Sequence, residues 1–281
     1  MPVYGVIDVG TNSVKFHLGE RRADGSWATL VERAEVTRLG EGIAETGDIA
    51  PPAIERTVEA IAAMAAEARA SRASALVAVG TMGMRSAGNS DDFIARVRER
   101  AGVTIEVLPG EEEARLAYLA AVEGLGLTGG RRVVCDTGGG STQFTIGDGR
   151  TVEEQFSVNV GAVRLTGEFG RLDGVPSPEA LVGMGGAITN MTAVMLGLAL
   201  YDAEAVQGSR LSRAAVDRQI ELYRAHDVDE RRQIVGLQPK RADVILAGAC
   251  VVRTVMDKLG QDALTVSDRG LRHGVLLERF G

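Results

Sequence analysis

Ile7-Asp8-Val9-Gly10-Thr11-Asn12-Ser13, near the start of the chain, is answered 128 positions later by Asp136-Thr137-Gly138-Gly139-Gly140-Ser141-Thr142. Each Asp closes a compact apolar run, residues 3–8 in one case and 132–136 in the other. Each Gly-rich joint then leads into a second run that carries a Phe three residues after its Ser, Phe16 and Phe144. Two apolar runs joined by a short Gly/Asn turn read as a β-hairpin. Two such hairpins at matching places read as an internal duplication. The boundary falls near residues 122–130, where Gly124, Gly126, Gly129 and Gly130 loosen the chain.

Outward from the first joint, residues 13–19 and 27–37 read as strands. Pro51 opens a helix with Ile54, Val58, Ile61 and Ala65 on one face. A buried strand over 75–80, a helix over 91–101, a strand over 103–107 and a helix over 111–123 follow. Three strands and then alternating helix and strand is an α/β order. After the second joint the order restarts, with strands over 143–146 and 152–158 around a Gly147-Asp148-Gly149 turn. Gly183-Met184-Gly185-Gly186 precedes a helix over 187–198.

The 281 residues suit two ordinary domains, and 45% hydrophobic with 25% charged residues is a soluble globular balance. Aromatics at 4% argue against a base-stacking surface, and a net charge of −7 argues against general nucleic-acid binding. The longest apolar run, 193–201, falls well short of the roughly 18 residues of a membrane span. No signal-peptide pattern opens the sequence, so a cytoplasmic protein without a membrane partner is expected. Cys135 and Cys250 sit in apolar runs and read as buried thiols of a reducing compartment. His17, His226 and His273 have no ligand spacing, which argues against zinc. Basic residues cluster over 210–241, read either as a solvated helix face or as Arg forks for phosphate oxygens. An acidic chain with an Arg-rich second half is compatible with a homodimer forming one basic channel.

A Gly-rich turn between strands can aim successive backbone N–H groups at an anion, because no Cβ blocks approach. Gly10, Thr11, Asn12 and Ser13 form one such cradle, and Gly138, Gly139, Gly140, Ser141 and Thr142 another. Gly185 and Gly186, at a helix start, form a third candidate phosphate site. Asp8 and Asp136, closing their strands, can hold Mg²⁺ directly or through water.

In this arrangement the chain resembles the sugar kinase, heat-shock 70 and actin superfamily, and within it the exopolyphosphatase and guanosine pentaphosphate phosphatase family. Besides the two joints, the matching segments include Arg38-Leu39-Gly40-Glu41-Gly42, Thr81-Met82-Gly83-Met84-Arg85, Pro109-Gly110-Glu111-Glu112-Glu113-Ala114-Arg115-Leu116 and Gly161-Ala162-Val163-Arg164-Leu165. Arg241-Ala242-Asp243-Val244-Ile245-Leu246-Ala247-Gly248 and Val266-Ser267-Asp268-Arg269-Gly270-Leu271-Arg272 complete the series. The resemblance implies two duplicated actin-like (ribonuclease H-like) α/β lobes, residues 1–124 and 125–268, with a ligand cleft between them and a last helix, 269–281, returning to the first lobe. It implies Mg²⁺-dependent release of terminal phosphate from polyphosphate, or of the 5′ γ-phosphate of guanosine pentaphosphate. Glu113 matches the family's general base, and Arg85 suits a clamp for the charge on the phosphoryl oxygens. The competing reading of Glu111, Glu112 and Glu113 is that they complement a helix dipole.

Three departures stand out. Gln143 replaces the family's Glu after Ser-Thr, which keeps shape but removes a charge. Ala187 replaces a common Thr, and the stretch 167–181 is short, so a helix over 161–169 must make the crossover alone. The extra helical domains of long members do not follow, so the resemblance is not extended to processive action on long chains. Gln143 also motivates a reading of another class, a non-catalytic sensor of polyphosphate or nucleotide.

Overall fold

The computed structural model describes residues 1–127, 129–138, 141–158, 160–161 and 170–281, with Ala44 and Arg171 described by their backbone alone. Gly139 and Gly140 of the second cradle, and the helix expected over 161–169 except its first residue, lie outside the described residues. The chain divides into two compact units, Met1–Ala117 with Leu271–Gly281, and Tyr118–Gly270.

In the first unit β1 (Val3–Val9), β2 (Ser13–Arg21) and β3 (Trp27–Val36) form an antiparallel meander. A short α1 (Ile43–Thr46) and the long α2 (Pro51–Ala70) lead to β4 (Ala75–Gly80), which pairs parallel to β1. Then come α3 (Met82–Ser86), α4 (Ser90–Ala101), β5 (Ile105–Val107) parallel to β4, and α5 (Gly110–Gly124). The sheet order is β3-β2-β1-β4-β5. β1 is buried along nearly its whole length because the sheet is covered on both faces, which is why it reads as a continuous apolar run. Ile54, Val58, Ile61 and Ala65 of α2 meet Phe16 and Phe93 on one face. On the other, Leu271, Val275 and Leu276 of the last helix pack with Val6, Val79 and Leu116. Each fully buried side chain of this size contributes roughly 1.5–3 kcal/mol.

The second unit repeats the plan. β6 (Arg131–Thr137), β7 (Thr142–Asp148) and β8 (Thr151–Val158) form the meander, and β9 (Ala180–Met184) runs parallel to β6. α6 (Gly186–Leu196), α7 (Ala203–Val206), β10 (Arg210–Ser212), α8 (Arg213–Ala225), α9 (Val228–Arg231), α10 (Ile245–Lys258) and β11 (Ala263–Val266) follow, before α11 (Leu271–Phe280) rejoins the first unit. The order β8-β7-β6-β9-β11 matches β3-β2-β1-β4-β5, with β10 added at the edge. The duplication extends to register: Asp8 pairs with Lys15 across β1 and β2, and Asp136 with Gln143 across β6 and β7. Among the described residues, no helix is long and apolar enough to cross a membrane.

Two expectations need adjustment. The strand expected over 103–107 starts only at Ile105, because the ladder with β4 holds three residues, while Val103 packs into the core without pairing. Cys250 is only half-buried, since α10 turns Val251, Val252 and Val255 inward and leaves Cys250 on its flank. Cys135 is fully buried; burial, with Asp136 adding to it, pushes its thiol up to about 12. Near pH 8 a disulfide reagent is therefore expected to titrate one thiol in the native chain, Cys250, and both after denaturation. A native count of two would show that β6 opens readily.

Candidate active site

In the first joint the Gly10 N–H donates to the Ser13 carbonyl at 3.1 Å, closing the turn. A Cβ on Gly10 would lie 2.9 Å from that oxygen, so glycine is required. The tip residues Thr11 and Asn12 are exposed, but their carbonyls are engaged. Asn12 accepts from the N–H groups of Thr37 and Arg38 (3.2 and 2.9 Å), and Thr11 from Gly40 (2.8 Å). Arg38 takes a left-handed backbone, φ 50°, to make this contact. Asp8 is buried beside the turn, and the Lys15 ammonium donates to its Oδ2 at 3.3 Å.

Arg85 and Glu113 meet in the same unit. Arg85 sits on α3, just past the end of β4, and its Nη1 donates to the Leu108 carbonyl (2.6 Å) and to Glu113 Oε2 (3.0 Å). Gly83 brings α3 to the first joint, since a Cβ there would lie 3.0 Å from the Thr11 hydroxyl. The three glutamates at the start of α5 have different partners. Glu112 forms a fork with Arg115, which also binds Glu278 of α11, and this fork holds the Glu112 carboxyl below its ordinary range. Glu111 is exposed, and Glu113 is the one that faces Arg85. Asp8, the turn, Arg85 and Glu113 thus follow the carboxyl ends of the parallel strands β1, β4 and β5, where open α/β sheets bind ligands.

The second unit builds the corresponding place at the ends of β6 and β9. The Gly138 N–H donates to the Ser141 carbonyl (3.0 Å), repeating the first turn. Gln143 stands where Lys15 stands in the first copy, and its amide donates to Ser141 Oγ at 2.6 Å. The Thr142 hydroxyl is fully buried and donates to the Val160 carbonyl, so it fixes the turn from inside. Gly185 has φ 94°, and a Cβ there would lie 2.5 Å from Asp136 Oδ1 and 2.7 Å from the Thr137 carbonyl. A Cβ on Gly186 would lie 2.2 Å from Arg241 Cζ. These two glycines let a carboxylate and a guanidinium lie directly against the start of α6. Burial lowers the Arg241 pKa from its ordinary value, with Tyr201 and Asp243 opposing. Among the described residues its side chain makes one hydrogen bond, from Nε to Gln238 Oε1 at 3.3 Å, and no ion pair.

A family model described as the Ppx/GppA phosphatase family matches residues 20–181 and 175–281. The chain belongs to the Ppx/GppA phosphatase family. Exopolyphosphatase 2 of Mycobacterium tuberculosis is 31% identical over 312 residues, covering 98% of this chain and 98% of its own. The guanosine-5′-triphosphate,3′-diphosphate pyrophosphatase of Photobacterium profundum is 29% identical over 307 residues, covering 99% of this chain and 59% of that protein. The crystal structure of the Aquifex aeolicus Ppx/GppA family member superposes with a TM-score of 0.84 at 29% identity, covering 99% of this chain and 97% of that one.

Within this Ppx/GppA chain, two residues of the site escape a reading by motif. Lys15 was legible through the duplication, because it lies 128 positions before Gln143. Arg241 lies in a matching segment, but only the folded chain shows its guanidinium packed on Gly186.

Proposed function

We propose that this chain hydrolyses a phosphoanhydride bond, releasing terminal orthophosphate from inorganic polyphosphate, with Glu113 as general base. The observation that carries the reading is the Arg241 guanidinium, packed against the positive end of α6 with no ion-pair partner among the described residues. A chain of phosphates supplies the negative charge that both groups favour. The exopolyphosphatase name of the Mycobacterium tuberculosis relative supports the same substrate class.

Arg85 fixes the Glu113 carboxylate from one side and so orients it to accept a proton from an attacking water. The same guanidinium brings positive charge to phosphoryl oxygens as they develop charge. With the Gly10 and Gly138 N–H groups closing their turns, the N–H groups of Thr11 and Asn12 in the first and of Ser141 in the second are the ones offered to phosphate oxygens. Asp8 in the first unit and Asp136 in the second are each proposed as a carboxylate for a divalent cation such as Mg²⁺. In each unit the adjoining turn adds a Ser hydroxyl, Ser13 or Ser141, and carboxylate with hydroxyl oxygen is the hard-ligand chemistry that suits Mg²⁺. When bound, such an ion neutralises phosphate charge. The two free thiols accord with a cytoplasmic setting.

The deciding assay is phosphate release with Mg²⁺ from short polyphosphate, long polyphosphate, guanosine pentaphosphate and ATP, with Glu113→Gln alongside. Release from polyphosphate that disappears in the variant is the expected result. Release from guanosine pentaphosphate alone would transfer the assignment to the activity named for the Photobacterium relative. Tight binding without release from any of them would overturn the enzyme and leave a sensor.

Gln143→Glu places a second carboxylate opposite Asp136. Like charges facing across a ladder repel, and a cation between them relieves the repulsion. The variant is expected to melt lower in EDTA and to reach half-maximal activity at a Mg²⁺ concentration lower by about threefold or more. An unchanged Mg²⁺ dependence would place Gln143 beyond the cation's reach.

A further inference from the structure

Two of the three histidines, distant in sequence, converge on one carboxylate away from the candidate active site. His17 on β2 and Glu32 on β3 are direct cross-strand partners, and α11 brings His273 to the same point. His17 Nδ1 lies 3.7 Å from Glu32 Oε2, and His273 Nε2 lies 3.4 Å from Glu32 Oε1. The donor atoms of the three residues all lie within 4.8 Å of one another. Around a tetrahedral ion with bonds of about 2.0–2.1 Å, neighbouring donors stand about 3.3–3.4 Å apart. The His17 and His273 separations, each to a different oxygen of the carboxylate, are close to that spacing.

A second observation points the same way. His17 is 2% exposed, yet among the described residues its Nδ1 has no hydrogen-bond partner, because the 3.7 Å to Glu32 is beyond hydrogen-bond reach. A buried ring nitrogen left without a partner, and aimed at a carboxylate, is costly unless something sits between them. Charge balance does not explain the two rings, since Arg272 already donates to Glu32 Oε1.

We infer that His17, Glu32 and His273 form a binding site for a divalent transition metal of the zinc class, which ties α11 to the β2–β3 edge of the first unit. Two imidazole nitrogens and one carboxylate oxygen select Zn²⁺, Co²⁺ or Ni²⁺ over Mg²⁺. Arg272, bound to the carboxylate, orients it as an outer-shell partner. The site is separate from the oxygen-rich set assigned to Mg²⁺ and stands whether or not that assignment does.

The test uses the full chain, stripped with EDTA and titrated with ZnCl₂ by calorimetry and by thermal melting, with MgCl₂ in parallel. One Zn²⁺ per chain and a rise in Tm of several degrees are expected, with neither given by Mg²⁺ at the same concentration. His273→Gln is expected to abolish the shift, while His226→Gln and Asp136→Asn keep it. Because His273→Gln also alters helix packing, Co²⁺ absorption of the unmutated chain supplies an independent readout, with the intense visible bands of tetrahedral coordination expected. Absence of those bands, no stoichiometric Zn²⁺ binding, or an unchanged Zn²⁺ shift in His273→Gln would each overturn the site.

Discussion

Glu113→Gln is expected to lower kcat for phosphate release by about 10²–10⁴-fold, with little change in Tm or in substrate binding. The amide keeps the length and shape of the side chain, and its oxygen can still accept from Arg85. It cannot take a proton from water. The Arg85–Glu113 pair is about one-quarter to one-third exposed (30% and 26%), so its loss costs at most about 1 kcal/mol of stability. Glu112→Gln is the discriminating control. Both substitutions remove one negative charge from the first turn of α5, so a helix-dipole role predicts similar, small effects, each about 0.3–1 kcal/mol. General-base catalysis predicts that only Glu113→Gln stops turnover. Glu112→Gln should instead loosen the tie through Arg115 to Glu278 and lower Tm while activity stays within a few-fold. Equal losses of turnover in the two variants would return Glu113 to the dipole.

That contrast also marks where local pattern ends and folded geometry begins. The hairpins, α2 and the alternation up to α5 were legible because period, turn residues and caps are encoded within a dozen residues. The duplication was legible because a fixed offset preserves the Asp, the Gly and the Ser. Beyond α6, β10 and β11 hold three and four residues, too few to show alternation. α10 does carry a helical period, burying Ile245, Ala249, Val252 and Met256 on one face. α3 is five residues with a Gly inside it, shaped by Met84 occupying the space over Gly80. Within the site, the resemblance singled out Glu113, whereas composition and spacing alone did not separate the three glutamates; their difference lies in Arg115 and Arg85, which pair with Glu112 and Glu113 respectively. His17 and His273 show no ligand spacing in the sequence. They meet only because α11 returns to the first sheet, a long-range contact that no local pattern records.

Gly185→Ala is expected to cost about 2–4 kcal/mol of stability and to cut activity by about 100-fold or more. Two effects add. A residue with a side chain at φ 94° is strained whatever surrounds it, and the new Cβ also collides with Asp136 Oδ1 and the Thr137 carbonyl. Gly174→Ala separates them. Its φ of 85° carries a similar strain, but among the described residues nothing lies within 4 Å of the added Cβ. That variant should lose only about 1–2 kcal/mol and keep its activity. Urea unfolding and Mg²⁺-dependent phosphate release, measured on both variants, give the difference that belongs to the collision alone. If Asp136 and the start of α6 act as one unit, the excess appears in turnover as well as in stability, because displaced backbone carries the carboxylate with it. If Gly185→Ala falls no further than Gly174→Ala on either measure, the close approach of Asp136 to Gly185 is dispensable, and the assignment of the cation to Asp136 loses its structural support.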